Sequence, residues 1–146
     1  MSTTFTASIQ HVNHTTSRAT VRSHSFLVDR AVARGGFDLG PAGGEYLLVS
    51  LGGCFTTHLL AAIRAREAPM TGVTVSVTGT MDGSPERFVA FTLDVTAACP
   101  DPDLAHKLIT IAERGCQVVN TLRLTTSIAV TYQGEAIAPI VAAAAV

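Results

Sequence analysis

The chain is short of charge: 14% of its 146 residues are Asp, Glu, Lys or Arg, against about 25% in an ordinary soluble domain. With so little polar surface to spare, part of its apolar surface is expected to meet another chain. It also lacks a basic footprint, because nine arginines and one lysine (Lys107) are scattered and the formal net charge is -1. That balance argues against nucleic acid as a partner. Intrinsic disorder is excluded as well, since it combines high net charge with low hydrophobicity and here 47% of residues are apolar. Three cysteines are too few and too odd a number for a secreted disulfide scaffold. The first ten residues, MSTTFTASIQ, show no basic or apolar leader pattern, so a reducing cytoplasm is the expected compartment. One uncharged run, Tyr46 to Ile63, reaches the length of a membrane span. Its serine, paired glycines, threonines and histidine, and the charged residues that bound it, point instead to a wholly buried helix, and no membrane partner is expected. The apolar tail AIAPIVAAAAV is too short to span and is interrupted by Pro139.

What is present reads as one α+β domain, residues 1–146, in the order βββαββαβ. Phe5, Ala7 and Ile9 alternate with polar residues as in a half-buried strand; HVNHTTS supplies a turn; Arg18 to Arg22 and Ser25 to Asp29 follow as short strands. The glycine-rich loop ARGGFDLGPAGG leads into a long helix from about Glu45 to Glu67. Val73, Val75 and Val77 then pair across the turn MDGSPER with Val89, Phe91, Leu93, Val95 and Ala97. Asp101 is placed to cap a helix with Pro102 in its first position and Asp103 in its first turn, and Gly115 to end it as a C-cap. Leu104, Leu108, Ile111 and Ala112 form its apolar stripe. Cys116 to Arg123 restarts a helix, and Leu124 to Tyr132 forms the last strand with Leu124, Thr126, Ile128, Val130 and Tyr132 on one face.

Cys54 follows Gly52 and Gly53 in the middle of the apolar helix, where each glycine costs about 1 kcal/mol relative to alanine. Close approach by another helix is the expected reason. The thiol itself reads either as a small buried hydrophobe or as a functional group. Cys116, opening a short helix, sits where free N–H groups and the helix dipole favour a thiolate with a depressed pKa; filling a gap at a helix junction is the plainer alternative. Cys99, between a strand end and a proline, reads as structural. Cys54 and Cys116 suggest a redox pair, yet their spacing is not a CxxC unit and only the fold can bring them together. His58, four residues after Cys54, shares its helix face as a base, as half a metal site, or as a core histidine with a hydrogen-bond partner. No second ligand pair is spaced for zinc and the glycine loop matches no nucleotide fingerprint, so neither metal nor cofactor is expected.

The run GPAGGEYLLVSLGGC, followed about sixty residues later by AERGCQVVNTLRLTTSIAVTY, resembles the OsmC/Ohr family of organic hydroperoxide reductases along nearly the whole chain. The resemblance implies an intertwined homodimer with a long buried central helix and two active sites at the subunit interface. It implies a thiol peroxidase in which Cys54 becomes a sulfenic acid, Cys116 closes a disulfide with it, and a dithiol or lipoyl-linked reductant restores both thiols. The family also uses an arginine and a glutamate to hold the thiolate and orient the organic hydroperoxide; Arg34 is the first choice for the cation, Arg18 the second, and Glu45 is the acid. Glu45 stands nine residues before Cys54 where well-known members have ten, and the usual proline before the acid is replaced by Ala42-Gly43-Gly44. On an unbroken helix nine residues at about 100° each place Glu45 and Cys54 on opposite faces, about 13 Å apart along the axis. Either the helix begins after Glu45, or the partner subunit's Glu45 acts, or the residue is a first-turn acid favoured by the dipole. These departures motivate a second expectation: a dimeric small-molecule-binding or structural protein of the same fold without turnover.

Overall fold

Three strands, β1 (Ser8–Asn13), β2 (Thr16–Val21) and β3 (His24–Val28), pair antiparallel in the order β1-β2-β3. The computed structural model describes residues 1–137 and divides into two units, Met1–Leu47 and the part from Leu48 onward, of which this sheet belongs to the first. Alternation signals a first strand here but misplaces both its bounds, since only Ile9 of Phe5, Ala7 and Ile9 falls within β1, and what is covered. Every residue of β1 is exposed, Phe5 lies ahead of the strand, and the turn occupies only His14 and Thr15 of HVNHTTS. A period of two reports a two-faced ribbon; it does not say that a layer lies over either face, and among the described residues none covers β1.

The glycine loop is tied down from below. After a single 3-10 turn, Val32–Arg34, the chain returns to Asp29, which is 2% exposed and whose carboxylate accepts five hydrogen bonds. The donors are the hydroxyls of Thr15 (2.6 Å) and Thr16 (3.1 Å) and the N–H groups of Arg30 (2.8 Å), Phe37 (3.3 Å) and Leu39 (3.2 Å). Two glycines are forced by this folding. A Cβ at Gly36 would lie under 3.0 Å from the Arg30 carbonyl, and one at Gly40 under 3.0 Å from that of Leu27.

Helix α1 (Gly43–Ala65) starts two residues before the expected Glu45. The Ala42 carbonyl accepts from Tyr46 N–H, and the Glu45 carboxylate reaches back to the Ala42 N–H at 2.7 Å, which is one half of a capping box. The Tyr46 hydroxyl donates to the Leu27 carbonyl at 2.7 Å, fixing the first turn of α1 to β3.

In the second unit, β4 (Thr71–Asp82) and β5 (Arg87–Ala98) form the expected hairpin, β6 (Ser127–Tyr132) lies parallel to β5, and the two-residue β7 (Glu135–Ala136) closes the order β4-β5-β6-β7. The parallel pairing is reached by a crossover through α2 (Pro102–Gly115) and α3 (Gln117–Leu122). Asp101 caps α2 as expected, accepting from the N–H groups of Asp103 and Leu104. Phe91, Leu93 and Val95 of β5, Ile128 and Val130 of β6, Leu108 and Ile109 of α2, and Leu51, Phe55 and Leu59 of α1 are all buried. Each contributes about 1.5–3 kcal/mol relative to an exposed position. The last strand is shorter than expected. Both the N–H and the hydroxyl of Thr126 bond the Leu122 carbonyl, which keeps the chain in a turn until Ser127 and leaves Leu124 exposed.

Two expectations for α1 need correction. The helix is not wholly buried: Leu51, Gly52, Phe55, Leu59 and Ala62 face inward, whereas Val49 and Leu60 are 61% and 49% exposed. By length and composition alone it could cross a membrane, but its inner face is packed against protein. Nor, among the described residues, does the Gly52-Gly53 pair admit another helix. A Cβ at Gly52 would come within 2.8 Å of the Val77 side chain on β4, while Gly53 meets nothing within 4 Å.

Candidate functional site

Two local breaks assemble the site. On α1 the four-residue spacing puts Cys54 and His58 on one face, as the sequence implies. At the end of α2 the backbone of Cys116 turns extended (φ -73°, ψ 113°), so this residue closes one helix and opens the next. Its N–H still donates to the Ala112 carbonyl, its own carbonyl accepts from the Asn120 N–H, and its Sγ accepts from the Val119 N–H at 3.4 Å. The Asn120 side chain donates to the Arg114 carbonyl and ties off the end of α2.

Gly115 is not the C-cap expected of it. It is the last residue of α2 and is absent from the positive-φ positions, so conformational freedom does not explain it. Space does: a Cβ there would press to 3.1 Å from His58 Nδ1. The imidazole lies against this glycine, with Nε2 3.0 Å from the Oε1 of Gln117. The same oxygen accepts the Cys54 thiol at 3.3 Å. Gln117 is thus the junction between thiol and imidazole, and reasoning from residue type overlooks it. The available signal is a polar, forked side chain placed directly after Cys116 at the start of a helix.

The structure brings Cys54 and Cys116 together and leaves both as free thiols, one half-buried and one buried. Of the two readings of Cys116, the thiolate with a depressed pKa is not met and the buried cysteine at a helix junction is. Its pKa is pushed up to about 11, chiefly by burial, with the hydrogen bond and charge of Cys54 adding to the rise. The N–H groups of Val119 and Val118 act in the expected direction but do not overcome desolvation. Cys99 stands apart, its thiol donating to the Asp101 carbonyl at 3.2 Å.

The charged candidates lie in the first unit. Arg34 is exposed at the end of the 3-10 turn and Arg18 is exposed on β2, and neither forms an ion pair among the described residues. Glu45 is inside α1, so the possibility that the helix begins after it is removed. On the α1 face that carries Gly52 and Gly53, an open groove of about 390 Å³ runs between α1 and β4, lined by Leu48, Val49, Gly52, Gly53, Thr56, Val75 and Val77. Its walls are mainly apolar.

Comparison with known proteins agrees with the resemblance. The family model described as OsmC-like protein matches residues 36–132, and the chain belongs to that family. The fold is similar to that of an OsmC-like protein from Mycoplasma pneumoniae, with a TM-score of 0.81 at 16% identity over 91% of this chain and 98% of that one. It is also similar to an organic hydroperoxide resistance protein from Elizabethkingia anophelis (TM-score 0.71, 17% identity, 90% and 96% covered). A third similar structure is an organic hydroperoxide resistance protein from Legionella pneumophila (TM-score 0.72, 13% identity, 89% and 96% covered). No curated protein matches the chain.

Proposed function

We propose that the protein is a thiol-dependent peroxidase that reduces organic hydroperoxides. The observation that carries this reading is the meeting of two free thiols from distant segments, with Cys54 half-buried and Cys116 buried. Cys54, as thiolate, attacks the distal peroxide oxygen; the O–O bond breaks, the alcohol leaves, and a sulfenic acid remains. Cys116 then attacks that sulfur, water departs and a disulfide forms. Electrostatics order the two steps. While Cys54 is charged it helps keep Cys116 protonated, and a neutral sulfenic acid removes that influence, so Cys116 ionises more readily once it is needed. A dithiol, lipoyl-linked or free, returns both thiols.

The apolar groove beside Gly53 suits the organic substituent of such a peroxide. Arg34 supplies the cation for the thiolate, and the uncovered Val49 and Leu60 face of α1 pairs with a second copy in a homodimer. Glu45 of the partner subunit then becomes the acid available to Cys54. The compartment that suits this chemistry is a reducing cytoplasm. One observation favours the second reading, a dimeric binding protein without turnover: the Glu45 carboxylate is engaged with the Ala42 N–H. Purified protein is expected to consume cumene hydroperoxide with a dithiol and to yield a Cys54–Cys116 crosslink by mass spectrometry. Cys54→Ser abolishes both. Absence of consumption and of the crosslink in the wild type would overturn the proposal.

A further inference from the structure

Gln117 Oε1 accepts from the Cys54 thiol at 3.3 Å and lies 3.0 Å from His58 Nε2. An amide oxygen has two acceptor sites and an amide nitrogen two hydrogens, so either end of this side chain can serve two partners at once. With the oxygen inward, both neighbours must donate: Cys54 as S–H and His58 as the Nε2–H tautomer. With the nitrogen inward, both must accept, which favours a Cys54 thiolate, a far better acceptor than the neutral thiol sulfur, and needs a His58 that carries its proton on Nδ1. A mixed arrangement leaves Cys54 with its weaker bond, because a neutral thiol accepts an amide hydrogen poorly and a thiolate has no proton to give the amide oxygen. We infer that the Gln117 carboxamide is a two-position switch that positions Cys54, turning over when the thiol ionises and moving the neutral His58 from its Nε2–H to its Nδ1–H tautomer.

The proton balance is simple. Cys54 releases one proton to solvent, and the imidazole exchanges its own between ring nitrogens through solvent with no net change. Gly115 fits this arrangement, because the missing Cβ is what leaves Nδ1 unobstructed. In the second position the amide donates to a thiolate, a charge-assisted bond stronger than the neutral one it replaces. The inference deepens the proposed function by assigning a positioning residue to Cys54, but its test does not depend on peroxide turnover.

The test is nitrogen-15 NMR of the His58 ring in the full chain, at pH values where the imidazole is neutral, with Cys54 taken from thiol to thiolate. The expected result is an exchange of the protonated position from Nε2 to Nδ1 in step with the thiolate absorbance. In Gln117→Met, which keeps the length and removes the amide, that correlation disappears and the thiolate fraction at fixed pH falls about tenfold, the equivalent of one charged hydrogen bond. Gln117→Asn serves as the conservative control and restores part of the fraction. A His58 tautomer that stays fixed while Cys54 ionises overturns the inference even if the protein proves to be an active peroxidase. Conversely, a tautomer shift in a protein without peroxidase activity supports the switch and sinks only the proposed reaction.

Discussion

Asp29 and Cys116 are buried to nearly the same degree, at 2% and 0% exposure, yet their proton affinities move in opposite directions. Burial disfavours the charged form of both. Asp29 is nevertheless held well below the usual carboxylate range, first by the Thr15 hydroxyl, with the N–H groups of Leu39 and Arg30 and the Thr16 hydroxyl outweighing its desolvation. Cys116 is desolvated, receives a long N–H···S contact of 3.4 Å from Val119 and a smaller contribution from the Val118 N–H, and faces a second thiol, so its pKa climbs to about 11. The difference teaches that the number and closeness of donors, not depth, decide whether a buried acid stays charged. One group is thereby made a permanent anchor; the other is kept neutral.

Breaking the anchor gives the largest expected effect. Asp29→Ala leaves two hydroxyls and three N–H groups without their acceptor, and thermal unfolding and protease cutting between residues 30 and 41 should show a greater loss than Gly36→Ala or Cys54→Ser produces. The wild type should show a milder version in acid. Because the folded pKa of Asp29 lies below its unfolded value near ~3.9, its contribution is present above about pH 4 and is lost as pH falls towards the folded pKa. Gly36→Ala attacks the same loop sterically and should cost about 1–3 kcal/mol by denaturant unfolding, since the Arg30 carbonyl stands where the methyl must go. The smallest effect sharpens the other side of the comparison. Cys54→Ser removes the neighbouring thiol charge, so the Cys116 titration followed by alkylation against pH should move down from about 11 while staying above an ordinary thiol, because burial is the larger cause. A return to the ordinary value near ~8.5 would show that Cys54, not burial, governs it.

The elements that depend on neighbours in sequence are readable. Asp101 with Pro102 marks the start of α2, and the alternating valines mark the β4–β5 hairpin, because caps and period-two faces are local chemistry. The glycines are visible in the sequence but their reasons are not. Gly52 answers to Val77, Gly36 to Arg30 and Gly115 to His58, and each partner is fixed only by tertiary folding. Asp29 reads as the last residue of a strand, and nothing beside it in the sequence announces donors from Thr15 and Leu39. At the site, the Cys54–His58 face follows from helix spacing, whereas the Cys54–Cys116 pairing rests on resemblance. Gln117 escapes because its meaning lies in two residues of another helix. Sequence leaves Cys116 undecided between thiolate and buried thiol for a related reason: the dipole argument is local, but the desolvation that outweighs it comes from the surrounding core.

The parallel pairing of β5 with β6 ties the thiols to the timing of folding. The β4–β5 hairpin closes through an adjacent turn, whereas β6 pairs with β5 across the α2–α3 crossover, and non-local pairing of that kind generally slows folding. Cys116 is nearer along the chain to Cys99 than to Cys54, and in an unfolded chain the shorter loop is favoured by about 1 kcal/mol in closure entropy. In the unfolded chain loop length alone therefore favours a Cys99–Cys116 pair over a Cys54–Cys116 pair. Completion of the sheet reverses that preference, withdrawing Cys116 from solvent and leaving Cys54 as its neighbour. Tertiary contact thus sets a thiol neighbourhood that distance along the chain does not.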